Sequence, residues 1–147
     1  MRELIEIITA AFGTLGFSLV FGARRRHLLW LTIGGALSWA AYLVAAGLYA
    51  SEPLRYFIAA AAVGIYSEIF ARILKTPTVS ILIPSILPLI PGGSLYYTMR
   101  YAIAKEWPLF MSNGALTLSI ALAIALGIIT VSTTVKLFFY GKRKNHK

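Results

Sequence analysis

At 147 residues, 59% hydrophobic and only 13% charged, with a mean hydropathy of +0.77, the chain falls outside ordinary soluble domains and disordered polymers. Its composition is that of an integral membrane protein. A net charge of +9 and a pI near 10.1 would raise nucleic acid as a partner for a soluble domain. Here the charges sit at the ends of apolar runs, so the lipid bilayer is the expected partner and nucleic acid is not.

Five apolar segments, about 4–22, 28–50, 54–74, 76–91 and 107–140, stand against the roughly 20 residues that a spanning helix needs. The expected fold is all-α: a polytopic helical bundle of five spans, the fourth broken, forming one membrane domain over 1–147. The first segment holds Gly13, Gly16 and Gly22, and its basic cluster, Arg24, Arg25 and Arg26, comes after the apolar run. A signal peptide has its basic region before that run, so a retained first span is expected.

The second segment contains Gly34, Gly35, Ala36, Ala40 and Ala41, and the third Ala59, Ala60, Ala61, Ala62 and Gly64. Ala36/Ala40, Ala41/Ala45 and Ala60/Gly64 have the small-xxx-small spacing that lets membrane helices approach closely, and a packing role is expected. Trp30, Tyr49, Tyr56, Tyr101, Trp107 and Tyr140 fall near span ends and fit the interfacial belt. Trp39, Tyr42 and Tyr66 lie deeper, where a hydroxyl or indole N–H needs a partner, across helices or in a cavity.

Glu68 reads as the only acid within a span, with Arg72 four residues later. Two readings stand. One is a structural ion pair on a single helix face, with the arginine stem reaching toward the interface. The other is a carboxyl that carries a proton or holds a cationic group of a substrate.

The fourth segment is short and holds Pro77, Pro84, Pro88 and Pro91, four of the chain's six prolines. Each proline lacks an N–H for the carbonyl four residues earlier, those of Ile73, Ser80, Pro84 and Leu87. Spacings of seven, four and three gather them on one helical stripe, which must face protein or water because lipid offers no hydrogen bonds. After Pro91-Gly92-Gly93 a second helix piece, 94–104, is expected, with Ser94 as its N-cap. Its N-terminal N–H groups would attract a carboxylate, as half-helices of broken spans do. Arg100 reads either as an added fixed charge or as an exposed outer residue.

The last segment opens with Trp107 and with Pro108, harmless in a first turn. Asn113 has two readings, an interhelical hydrogen bond or a donor to a carbonyl freed by the prolines. Thr130, Ser132, Thr133 and Thr134 are expected to bond back onto their own helix. The tail from Gly141 to Lys147 reads as a solvated topology signal or an anionic-lipid contact.

Ten basic residues, Arg24, Arg25, Arg26, Arg72, Lys75, Lys136, Lys142, Arg143, Lys144 and Lys147, fall on one side of these spans, and four, Arg2, Arg55, Arg100 and Lys105, on the other. The positive-inside rule then puts the N-terminus outside and the C-terminus in the cytosol of a multi-pass plasma or inner membrane protein. There is no cysteine, and His27 and His146 lie in basic surface segments. No disulfide, metal site, cofactor or catalytic constellation is expected, and an enzyme is not the expected class.

Pro84 and the run Pro88-Leu-Ile-Pro91-Gly92-Gly93-Ser94-Leu-Tyr96-Tyr-Thr-Met99 resemble the hallmark segment of the threonine/serine exporter family, as does Gly16-Phe-Ser-Leu-Val-Phe-Gly22 followed by a basic turn. The resemblance is to the small five-span subunit of split exporters. It implies a secondary exporter for small carboxylate-bearing metabolites, threonine and serine or a dicarboxylate such as succinate, working with a larger five-span subunit. By position Pro88, Pro91, Gly92 and Tyr96 match the family's motif, with Glu68 and Asn113 at polar positions; the expected substrate pathway comprises those four with Pro84, Ser94, Arg100 and Asn113. The competing function is a non-transporting assembly subunit whose broken helix only packs against the partner.

Overall fold

The structure, a computed structural model, describes residues 1–144, with side chains through Phe138. The side chains of Tyr140, Lys142, Arg143 and Lys144, and residues His146 and Lys147, lie outside the described residues. Every regular element among the described residues is helical: α1 (Arg2–Val20), a 3₁₀ turn (Arg25–His27), α2 (Leu28–Leu48), α3 (Glu52–Ile73), α4 (Thr78–Ile86), a second 3₁₀ turn (Leu87–Leu89), α5 (Gly92–Ile103) and α6 (Trp107–Lys144). Four of them, α1, α2 with its turn, α3 and α6, are long and apolar enough to cross a membrane. The pair Thr78–Leu89 and Gly92–Ile103 adds a fifth crossing if taken as one span, bent by 57°.

The turns are set by left-handed residues. After α1, Gly22 has φ 69, and Ala23 N donates to Ser18 O at 2.9 Å. The same 6→1 closure follows α3, where Thr76 N reaches Ala71 O with Lys75 at φ 52, and follows α5, where Glu106 N reaches Tyr101 O with Lys105 at φ 58. Only the first of these carries the glycine that a sequence reader looks for. At the other two, a lysine ammonium near the C-terminal dipole offsets part of the left-handed cost.

The broken span keeps its backbone paired more fully than the prolines alone imply. Pro84 lies inside α4 and leaves Ser80 O without its helical donor. Pro84 O, however, accepts the N–H of Leu87, and Leu87 O accepts that of Ile90 at 3.1 Å. Pro91, with φ −76 and ψ 58, makes an inverse γ-turn closed by Gly92 N to Ile90 O at 2.7 Å. The expected stripe of four freed carbonyls is therefore corrected. Short-range i+3 bonds take two of them, and Pro77 follows the end of α3 rather than interrupting a helix.

The second helix piece also starts earlier than expected, at Gly92 rather than Ser94, with Pro91 at the N-cap. Pro91 O accepts Leu95 N at 3.0 Å and closes the first turn, so Ser94 is already inside the helix and its hydroxyl is free to bond elsewhere.

α3 sits centrally, packed on α2 and α6; α1 packs on α2, α4 fits against α2 and α3, and α5 lies along α6. Two apolar clusters hold the bundle. Tyr56, Ala59, Ala60, Leu89 and Ile120 form one, and Leu31, Tyr66, Ala71 and Ile81 the other. Tyr56, expected in the interfacial belt, is instead buried at 9% exposure with its ring 4.8 Å from that of Tyr42, because α3 enters the bundle directly beneath α2.

Close approach depends on Gly34 and Gly35 in the middle of α2. A Cβ at Gly34 would lie 2.8 Å from Ser85 Cβ of α4, and one at Gly35 would lie 2.6 Å from Thr14 Cβ of α1. At Gly92 and Gly93, by contrast, an added Cβ meets nothing. Gly34→Ala is therefore expected to destabilise the detergent-solubilised protein by about 1–3 kcal/mol through overpacking. Gly92→Ala is expected to stay within about 1 kcal/mol of the parent. Thermal unfolding followed by circular dichroism measures both, and equal effects would contradict this account of the packing.

Candidate functional site

Two cavities open along the first half of the broken span, one at the start of α4 and one at the break. The larger, about 650 Å³, lies where the chain turns between α1 and α2 and again between α3 and α4. Arg24, His27, Lys75, Thr76, Ser80 and Pro84 line it, with Leu31 and Ile81 at its apolar wall. The left-handed turns at Gly22 and Lys75 bring these two loops together, and Pro77 at the N-cap starts α4 beside them.

This cavity is electropositive. Its lining contains Arg24 and Lys75 and no acid. His27 is buried at 8% exposure, and its Nε2 accepts the Nε–H of Arg26 at 3.0 Å, so the ring is held neutral as an acceptor. Thr76 Oγ1 is buried without a hydrogen-bond partner among the described residues. Two cations in a lining without an acid can together receive a carboxylate.

The smaller cavity, about 330 Å³, lies at the break and is lined by Ile5, Glu6, Thr9, Ala10, Trp39 and Pro88. Glu6 Oε2 accepts the indole N–H of Trp39 at 3.2 Å, and Glu6 Oε1 accepts Arg2 Nε–H at 3.3 Å. Between Pro84 in one cavity and Pro88 in the other stands a packed segment. Ser85 is fully buried against Gly34, and Ile81 and Leu89 are buried at 1% and 0% exposure. The hydroxyls of Ser85 and of Ser67 on α3 also lack partners among the described residues.

The residues expected along one pathway are divided by the fold. Pro84 and Pro88 reach the two cavities, and Pro91 and Gly92 form the bend. Ser94, Tyr96, Arg100 and Asn113 belong to the α5–α6 pair. Ser94 Oγ and Thr98 Oγ1 meet Thr117 Oγ1 at 2.5 and 3.2 Å, a polar seam between α5 and α6. Tyr96 is 64% exposed and Arg100 is exposed.

Asn113 takes neither of its expected partners. Its Nδ2 donates to Leu109 O of its own helix at 3.1 Å, since α6 presents that carbonyl one turn back. Glu68 pairs with Arg72 at 3.2 Å on one face of α3 and lines neither cavity. Among the deep aromatics, Tyr66 O–H donates to Trp30 O at 2.7 Å, and Trp39 finds Glu6.

Glu68, expected to be the only acid within a span, is joined by Glu6, which is a further functional candidate. Glu6 lies within α1 and reaches Trp39 in the middle of α2. A signal for it was present: Glu6, Ala10, Thr14 and Ser18 fall on one face of α1, a polar and small stripe on an otherwise apolar helix, and Thr14 and Ser18 are the residues of that helix that are buried.

The packed segment between the cavities makes a direct prediction in a chain with no native cysteine. Ser80→Cys is expected to react with a membrane-impermeant thiol reagent offered from the side bearing Arg24, and Ser85→Cys to be protected. Equal labelling of the two would mean that the cavities are continuous.

A family model described as threonine/serine exporter, ThrE, matches residues 6–134. No curated protein and no solved structure matches the chain.

Proposed function

The chain belongs to the threonine/serine exporter ThrE family, and from that premise we propose that it carries small carboxylate-bearing metabolites outward through the two cavities flanking its broken span. The observation that carries this reading is the electropositive cavity of Arg24 and Lys75, with no acid in its lining, ending on the broken helix at Pro84. With the basic ends of the spans in the cytosol, as the positive-inside rule has it, this cavity loads from the cell interior.

The path onward runs along α4. A helix that has lost the bond to Ser80 O and continues as a 3₁₀ turn over Leu87–Leu89 bends at low cost. Gly34 leaves room for Ser85 to pass close to α2. In this reading the segment Pro84–Pro88 is the moving barrier between cavities, and the unpartnered hydroxyls of Ser85 and Ser67 receive the cargo's polar groups as it passes. Glu68, tied to Arg72 away from both cavities, then has a structural role.

The cargo class follows from the family and the cavity together: threonine and serine first, with a dicarboxylate such as succinate compatible with two cations and no acid. A larger five-span subunit is the proposed partner. What supports it is α5, which buries no residue and leaves Tyr96, Tyr97, Met99 and the charged Arg100 exposed, a poor face for lipid alone. An assembly subunit without transport rests on that same α5 face and makes no use of the cavities.

Neutralising the cavity separates these readings. Arg24→Gln and Lys75→Gln are each expected to raise the internal concentration giving half-maximal efflux about fivefold, the worth of about 1 kcal/mol for one wet carboxylate–cation contact. Efflux of threonine, serine and succinate, with and without the larger subunit, is the measurement. Unchanged efflux in the double variant, at equal membrane abundance, would remove the cavity from the path.

A further inference from the structure

We propose that Glu6, Trp39 and Pro88 form a binding site for the ammonium group of a small amine, placed at the break of the fourth span, past the end of α4 from the electropositive cavity. The proposal rests on the exporter reading only for the identity of the cargo, a hydroxy amino acid. The site itself stands on its own geometry.

A carboxylate on a membrane helix is costly and calls for a partner. Glu6 has two, and they are unequal. The indole N–H of Trp39 is a neutral donor fixed in the middle of α2, which orients Oε2 without cancelling its charge. Arg2 carries a charge, but its side chain is 93% exposed, so its contact to Oε1 is a wet i,i+4 pair of small worth that a ligand displaces readily. Toward the cavity, the negative charge of Glu6 is therefore available.

The remaining walls suit a small organic cation. Trp39 is stacked on Tyr42 with ring centroids 5.0 Å apart, which holds its indole in place beside Glu6. Ile5 and Ala10 give an apolar lining, and about 330 Å³ is at the small end of ligand cavities. Of the residues lining the two cavities, Glu6 alone is acidic, so the two have opposite electrostatic preferences. A zwitterion offers something to each: its carboxylate to Arg24 and Lys75, its ammonium to Glu6. Because Pro88 belongs to the 3₁₀ turn of the break, a ligand bound there touches the element that has to move.

Trp39 supplies the readout. In the full chain carrying Trp30→Phe and Trp107→Phe, reconstituted in lipid nanodiscs, Trp39 is the remaining tryptophan. Titration with 2-aminoethanol and with serine is expected to give a saturable change in its fluorescence. Sodium chloride at equal ionic strength and sodium lactate, a hydroxy acid without the amine, are expected to give none. Glu6→Gln is expected to weaken the amine response about tenfold or more, the loss of one charged hydrogen-bonded contact, while Glu6→Asp retains part of it. Should Glu6→Gln not fold, Ala10→Leu fills the same cavity without touching the carboxylate and is expected to abolish the response.

A response to lactate or sodium equal to that for the amines, an unchanged response in Glu6→Gln or Ala10→Leu, or no response in the parent would each overturn the proposal. Efflux assays keep it apart from the function on which its cargo rests. Glu6-dependent amine binding with no export of threonine or serine sinks the exporter reading and leaves the site. Export without a Glu6-dependent response sinks the site and leaves the exporter.

Discussion

A bilayer gives a backbone amide nothing to bond to, and this structure is organised around that constraint at one place. Between Ser80 and Leu95 the chain passes three prolines and abandons the α-helical ladder without leaving most of its polar groups bare. The devices are local: i+3 bonds from Leu87 to Pro84 and from Ile90 to Leu87, a γ-turn at Pro91, and a fresh helical turn closed on Pro91 O. The first three replace helical bonds with tighter and weaker ones, and the last restarts the α-helical ladder. The result is a span that stays compatible with its surroundings, α2 and α3 on two sides, and is nonetheless the easiest part of the bundle to bend.

Around that break, the bundle distributes polarity in an ordered way. Cations gather where the Gly22 and Lys75 turns meet, the acid Glu6 stands beyond Pro88, and between them lies a dry segment with unpartnered serine hydroxyls at Ser67 and Ser85. A buried hydroxyl without a partner costs about 1–3 kcal/mol. Two of them in one packed bundle are a standing cost that packing alone does not require, since alanine fits a serine's space.

The α5–α6 pair stands apart from this arrangement. The seam of Ser94, Thr98 and Thr117 ties the two helices to each other rather than to the break, which is why Arg100 and Asn113 do not join Pro84 and Pro88 in a common site. The exposed tyrosines and arginine of α5 give the bundle a face of different character from the leucine- and isoleucine-covered surfaces of α1 and α2.

Much was legible in the residues themselves. Hydropathy determined the number and order of the helices, because each apolar run of spanning length has no other way to satisfy its backbone in lipid. Proline chemistry determined that the fourth span is broken, and the Glu68–Arg72 spacing determined their pairing, since both are local to a few residues on one helix. Tertiary structure alone decided the rest. That Pro91 and not Ser94 starts α5 depended on a γ-turn whose closure no propensity encodes. That Glu6 meets Trp39 and that Ser85 sits against Gly34 are contacts between helices, and that Lys75 shares a cavity lining with Arg24 joins two loops far apart in sequence. They are set by how glycine-lined surfaces let α1, α2 and α4 approach, and one-dimensional periodicity carries no information about which faces meet.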